Sequence, residues 1–228
     1  MKLPLLISVP HAGLVVPPEV RQYCVLTDED IASDGDGGAA ATFDIKDNVQ
    51  HFYTSDIARA IVDLNRAEDD RRPDGVVKKR TIYGTEVYSL FPSEALIQVL
   101  LERYYRPYHR ALSATADKVM LGVDCHTMAA KAPPLASDSE KERPPISLAD
   151  NEGKSLPPAW RERFKACLEE AFELPVAINQ PFKGGYTTSH HSPEMPWVQL
   201  EISRAAFYPD EEKRERLLQA LHRFCETA

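Results

Sequence analysis

Two histidines in this chain sit where apolar runs end. His11 lies in SVPHAG, just past PLLISVP, and His126 lies in GVDCHTM, near the end of VMLGVDCHT. Ligands and catalytic groups in open α/β sheets gather beyond the carboxyl ends of strands, so these imidazoles are candidates for one shared site. Asp124 and His126 are two residues apart, which on a strand puts both side chains on one face. That pair reads as a structural hydrogen bond, a metal ligand with its acidic neighbour, or an acid/base pair. Cys125 between them faces the other way and is expected to pack into the core.

Partners for the histidines are available elsewhere. SDGDGGAAATFD supplies Asp34 and Asp36 in a glycine-rich loop, either as turn and helix-cap residues or as an oxygen ligand. Two histidines, one carboxylate and an open position make a catalytic zinc set, with Asp36 placed in it and Asp34 as the alternative. A phosphate-binding reading of these glycines is weak, since no GK[ST] follows them and their pattern is not GxGxxG.

WVQLEIS buries Glu201 in an apolar strand with Gln199 and Ser203 on its face. An unpaired buried carboxylate is costly, so Glu201 must be paired, near a metal, or protonated. It is the best general-base candidate, an inward-facing salt bridge being the plain alternative. Arg204 just beyond it can pair with a carboxylate or stabilise an oxyanion. In IVDLNRAEDDRR, Asn65 and Arg66 are neutral and charged donors suited to a carboxylate; the bland reading is a strand end turning into a charged loop. Arg59 is placed on one face with Asp63, to form a buried ion pair or join the pocket. Gly184 and Gly185, between Lys183 and Tyr186, read as a flap over substrate or an exposed polar turn. His190 and His191 are not counted as ligands.

Apolar runs alternating with helical patterns must position these residues, the pattern of an α/β sheet. Strands are expected near 4–10, 49–55, 58–65, 119–127, 144–150, 175–182 and 197–203. Helices are expected over about 92–118, 156–174 and 209–228, the first N-capped by Ser93 and kinked or broken by Pro107. Residues 129–145 and 183–196 read as long loops, a length that is uncommon unless functional or disordered. The expected architecture is a single α/β domain over 1–228, with a mixed, mostly parallel central sheet flanked by helices.

The 228 residues carry a formal charge of −8, which argues against nucleic acid or an anionic membrane as partner. An anionic substrate would then need a local cationic pocket. The four scattered cysteines form no CxxC pair and fit a reducing cytoplasm. MKLPLLISVPHAG is broken by prolines and reads as a first strand, not a leader.

Taken together, SVPHAG, SDGDGG, ARAIVDLNR, YYRPYH, VDCHTM, NQPFKGG and QLEISR resemble, in order, the N-formylglutamate amidohydrolase family, from about residue 7 to 208. The resemblance implies a hydrolase of N-formyl-L-glutamate yielding formate and glutamate in histidine breakdown, in the cytoplasm. It also implies a zinc-exopeptidase-like fold, because the family is similar to zinc carboxypeptidases. By that likeness His11, His126 and an acid of the glycine-rich loop hold Zn2+ or another divalent metal, and Glu201 is the base. Asn65 and Arg66 then grip the carboxylate of a small N-acyl amino acid, and Asp124 orients His126. The readings kept beside it are a zinc hydrolase of another N-acyl amino acid or short peptide, a non-catalytic small-molecule binding domain, and a nucleotide-binding protein.

Overall fold

The computed structural model describes residues 2–226. Six strands form one sheet: β1 (Leu3–Val9), β2 (Val49–Thr54), β3 (Leu121–Met128), β4 (Ile146–Ala149), β5 (Val176–Ile178) and β6 (Trp197–Ser203). Their order is β2-β1-β3-β6-β4-β5, parallel throughout except for the antiparallel β4–β6 pair. This is the mixed, mostly parallel α/β sheet expected from the sequence. The helices are α1 (Asp28–Asp34), α2 (Ala39–Thr42), α3 (Glu94–Leu100), α4 (Arg106–Ser113), α5 (Pro158–Phe172), α6 (Tyr186–His191) and α7 (Asp210–Glu226). No helix among the described residues is long and apolar enough to cross a membrane.

Strand alternation divides the three central strands sharply. Leu5, Ile7 and Val9 of β1, Leu121, Val123 and Cys125 of β3, and Val198, Leu200 and Ile202 of β6 enter one core cluster with α5 and α7. The opposite face therefore receives Ser8, Asp124, His126, Gln199, Glu201 and Ser203, all buried. Cys125 packs in the core as its position requires. Because β3 and β6 are parallel neighbours, His126 lies in register with Glu201.

Three expectations change. Residues 58–65 are not a strand: Ile61 and Val62 both donate to Ala58 O, a buried turn packed into a second apolar cluster. Their apolar run reflects burial alone, which periodicity cannot separate from a strand. The long helix begins at Glu94, after Ser93, whose side chain accepts from Leu96 N as the N-cap, and ends at Ser113. A π-helical segment, Leu101–Tyr105, joins α3 to α4, and Pro107 falls in the first turn of α4. The wider turn accommodates a proline that supplies no N–H to the helix. Residues 183–196 contain α6, and its His191 is fully buried rather than in an exposed loop.

Candidate active site

The turn after β1, the loop after α1 and the end of β3 bring His11, Asp36 and His126 together, one ligand atom from each lying within 4.8 Å of the others. Asp36 Oδ2 is 2.9 Å from His126 Nδ1 and 3.5 Å from His11 Nδ1. The far nitrogens are also engaged. His11 Nε2 is 2.8 Å from Asp63 Oδ1, and His126 Nε2 is 2.9 Å from Asp124 Oδ2. A carboxylate can only accept, so each Nε2 donates to its outer acid, and His126 Nδ1 donates to Asp36 in the same way; the Nδ1 atoms that face Asp36 are the ones whose protons a metal ion would replace. His11 Nδ1 is buried with no hydrogen-bond partner.

This donor set fits a metal ion: two imidazole lone pairs, one carboxylate, and outer carboxylates that fix both tautomers. The electrostatics agree. Burial alone would lower the His126 pKa, but Asp124 and Asp36 hold it well above the usual imidazole value. Burial would raise Asp36 and Asp63, yet His11 and the neighbouring cations hold both well below the carboxylate range. Such a concentration of negative charge around two imidazoles suits a cation, which would take the place of protons there.

Asp34 is engaged differently. Lys78 Nζ donates to Asp34 Oδ2 at 2.7 Å, and Ile82 N donates to Oδ1 at 2.8 Å. Both side chains are buried, so Asp34 is committed to an internal ion pair, and Asp36 is the acid that meets the histidines. Burial lowers the Lys78 pKa, opposed chiefly by Asp34 and Asp63.

Glu201 and Arg204 line the same cavity as the histidines, with Arg59, Asn65, Arg66, Gly184 and Gly185. Gln199 Nε2 donates to Glu201 Oε1 at 2.7 Å. Burial pushes the Glu201 carboxyl up to about 7, opposed by His126 and reinforced by Asp36. Arg59 is bound by Asp63 at 3.1 Å and Asp36 at 3.5 Å, the expected ion pair formed inside the pocket. Arg66 reaches Asp74 at 3.4 Å with both side chains part-exposed. Arg204 Nη1 donates to Gly35 O at 3.2 Å.

Asn65 ties the site to the flap. Its Nδ2 lies 3.2 Å from His126 Nε2, and its Oδ1 accepts from Thr187 N at the start of α6. Gly185 approaches so closely that a Cβ there would lie 2.2 Å from Asn65 Nδ2, and Gly184 has φ +128. Gly184 is thus demanded by its backbone conformation and Gly185 by the close approach of the Asn65 side chain. His190 and His191 stay apart from the ligand set. His191 Nε2 bonds His109 Nδ1 at 2.9 Å, and Glu194 lies 2.9 Å from His191 Nδ1.

A profile described as N-formylglutamate amidohydrolase matches residues 3–208, most of the chain. The chain belongs to the N-formylglutamate amidohydrolase family. It is 29% identical over 228 aligned residues to an N-formylglutamate deformylase of Pseudomonas putida, covering 92% of this chain and 84% of that protein. A protein of the same name from Pseudomonas aeruginosa is 28% identical with the same coverage. Among solved structures, an N-formylglutamate amidohydrolase from Ralstonia eutropha JMP134 superposes with a TM-score of 0.84 at 21% identity. It covers 99% of this chain and 94% of that one. A gene product from Agrobacterium tumefaciens superposes at 0.75 with 18% identity, covering 99% and 89%. At these identities the two structures establish the fold.

Sequence reasoning missed Asp63 as the partner of His11, Lys78 as the partner of Asp34, and the support beneath Asp124. Ser8 Oγ donates to Asp124 Oδ1 at 2.6 Å and meets Tyr108 OH at 2.8 Å. Asp63 had a signal: it is an acid inside the apolar run AIVDL, the same feature that singled out Glu201.

Proposed function

We propose that this protein is a metal-dependent amidohydrolase that cleaves the formyl amide of N-formyl-L-glutamate, or of a close N-acyl amino acid, to formate and glutamate. The reading rests above all on the His11–Asp36–His126 cluster beside a buried glutamate, in a chain of this family. His11 and His126 would hold zinc through Nδ1 and Asp36 through a carboxylate oxygen. Bound there, zinc would act as a Lewis acid, polarising the formyl carbonyl and acidifying water.

The remaining work falls to the chain's own residues. Glu201 takes a proton from the water that attacks the formyl carbon. It returns that proton to the amine as the C–N bond breaks, leaving formate and the free amino group. Glu201 is placed for both transfers, because it lines the cavity beside the histidines and Gln199 fixes one of its oxygens. Asp63 and Asp124 hold the two imidazoles in one tautomer throughout. Asn65 and Arg66 receive the carboxylate next to the amide, since the Arg66–Asp74 pair is long and part-exposed and yields readily to a better-placed anion. Arg204 is available to a further anion, either the developing oxyanion or a second carboxylate.

A second reading has an observation of its own. The cavity measures about 630 Å³, with Ile82, Met128, Pro133, Leu135 and Phe182 among its lining. That volume is in the range of pockets that take drug-sized ligands, so it has room for acyl groups larger than formyl. Metal analysis of protein purified without chelator, followed by kcat/KM across N-formyl, N-acetyl and longer N-acyl amino acids, tests both. Near-stoichiometric metal with formylglutamate preferred supports the first reading; a bulkier acyl group preferred supports the second. Metal-free protein with no turnover of any of them removes both.

A further inference from the structure

The cations around the cavity are unequal. Arg59 is held by Asp63 and Asp36, and Arg143 by both oxygens of Asp138 at 2.8 Å each. Lys183 pairs with Glu152 at 2.6 Å, and Arg66 with Asp74. Arg204 lines the same cavity and forms no ion pair among the described residues. It is half-buried, so an uncompensated guanidinium there is a standing attraction for an anion.

Its position is fixed by backbone, not by charge. Arg204 follows β6 directly, and its N–H donates to Met128 O at the end of β3 at 2.8 Å. Nη1 donates to Gly35 O, and a Cβ on Gly37 would meet that same nitrogen at 3.4 Å. The Gly35–Gly37 loop is itself anchored, because Thr127 Oγ1 donates to Gly37 O at 2.8 Å. One guanidinium N–H is therefore used for placement, and the others of its five donors are left for a ligand.

We propose that Arg204 is a specificity-determining residue that binds the side-chain carboxylate of the substrate, so that this site selects a dicarboxylic N-acyl amino acid over its neutral amide. The assignment rests on the amidohydrolase reading above, in which Asn65 and Arg66 take the carboxylate beside the scissile amide. The cavity also presents Asp34, Asp36, Asp74, Asp138 and Glu201, so a dianion needs one cation whose charge is not already met. Among these cations only Arg204 has that property. A neutral substrate would leave its guanidinium without a partner, which is the basis of strong discrimination by a polar site.

The test compares N-formyl-L-glutamate with its near-isostere N-formyl-L-glutamine on the metal-loaded enzyme, wild-type and Arg204→Gln. The wild-type protein should favour the diacid, and the substitution should cut that kcat/KM ratio by about one to two decades, mainly through KM. Arg204→Lys, which keeps the charge but not the fork, should retain an intermediate ratio. Equal losses on both substrates would place Arg204 at the reacting centre and overturn the proposal, as would an unchanged ratio. Binding of L-glutamate and L-glutamine, followed by thermal shift, is an arm independent of turnover. If wild-type hydrolyses neither substrate but binds glutamate selectively through Arg204, the deformylase reading fails and this one stands. If Arg204→Gln binds glutamate as wild-type does, this one fails whatever the turnover.

Discussion

Asp63 Oδ1 stands 2.8 Å from His11 Nε2, and Asp124 Oδ2 stands 2.9 Å from His126 Nε2. The two imidazoles of the candidate metal site are thus backed by matching carboxylates, although one acid comes from a buried turn and the other from a central strand. The outer acids hold the Nε2 proton of each ring, so the Nδ1 atoms that face Asp36 are the ones a cation would take.

Asp124→Asn tests that support with little change of shape. An asparagine can present its NH₂ to His126 Nε2, which moves the ring proton to Nδ1 and blocks the lone pair facing Asp36. Metal affinity, measured by competition with a chelator, should fall about 10–100-fold. Unchanged affinity would reduce Asp124 to a structural hydrogen bond with His126 and Ser8.

The two loop aspartates should separate cleanly. Asp36→Asn and His126→Ala should each lose most bound metal, because two protein ligands would remain. Asp34→Asn should keep the metal and lose stability instead, since it leaves the buried Lys78 ammonium poorly compensated; about 3–5 kcal/mol is typical for breaking such a pair. Metal content and urea midpoints of the same three proteins decide it. An Asp34→Asn protein that is stable but metal-free would reverse the assignment.

The sequence revealed the site better where alternation applied than where it did not. Asp124, His126, Gln199 and Glu201 share one sheet face because period-two alternation on β3 and β6 leaves no other choice. His11 was legible from its place after β1. Asp63 was harder: its apolar run looked like a strand, but it is a turn in which Arg59 and Asp63 meet at i and i+4. Lys78 gave no local sign of its partner, which is 44 residues away. His191 was misread because TTSHHSPE has loop composition, while its burial comes with tertiary bonds from His109 to His191 and from Ser113 to Glu194.

Glu201 carries a pH prediction whose sign is opposite to the usual carboxylate. Its folded value is raised by burial to about 7 from an ordinary 4.5. The folded state then holds the proton more tightly than the unfolded chain. The resulting stabilisation is full below about pH 4.5 and is lost as pH rises through about 7, an effect on the order of 3 kcal/mol. In metal-free protein, Glu201→Gln should flatten this fall relative to wild-type between about pH 5 and 8 in denaturant titrations. With metal restored, the same variant should bind it normally and lose turnover by about 10²–10⁴. Wild-type kcat in Glu201→Gln would remove it as the base.

Arg66 is the harder assignment, because its guanidinium already touches Asp74 and two backbone carbonyls. Those contacts define what the alternative predicts. If they are its purpose, Arg66→Lys lowers stability and leaves the kinetics of the folded enzyme alone. If Arg66 grips the carboxylate beside the amide, lysine keeps the charge but loses the planar fork that a carboxylate matches. The backbone here is well anchored for such a grip. Tyr105 OH donates to Arg66 O at 2.7 Å, and Asn65 beside it reaches both His126 and the flap. Losing a charge-assisted, partly desolvated contact costs about 1.5–3 kcal/mol, or roughly one to two decades in kcat/KM on N-formylglutamate. An N-formyl amine with no carboxylate never makes the contact, so its slower hydrolysis should be nearly insensitive to the change. Equal slowing of both substrates by Arg66→Lys would show that Arg66 does not read the carboxylate. A loss confined to the carboxylate-bearing substrate, at unchanged thermal stability, would assign the grip to its fork.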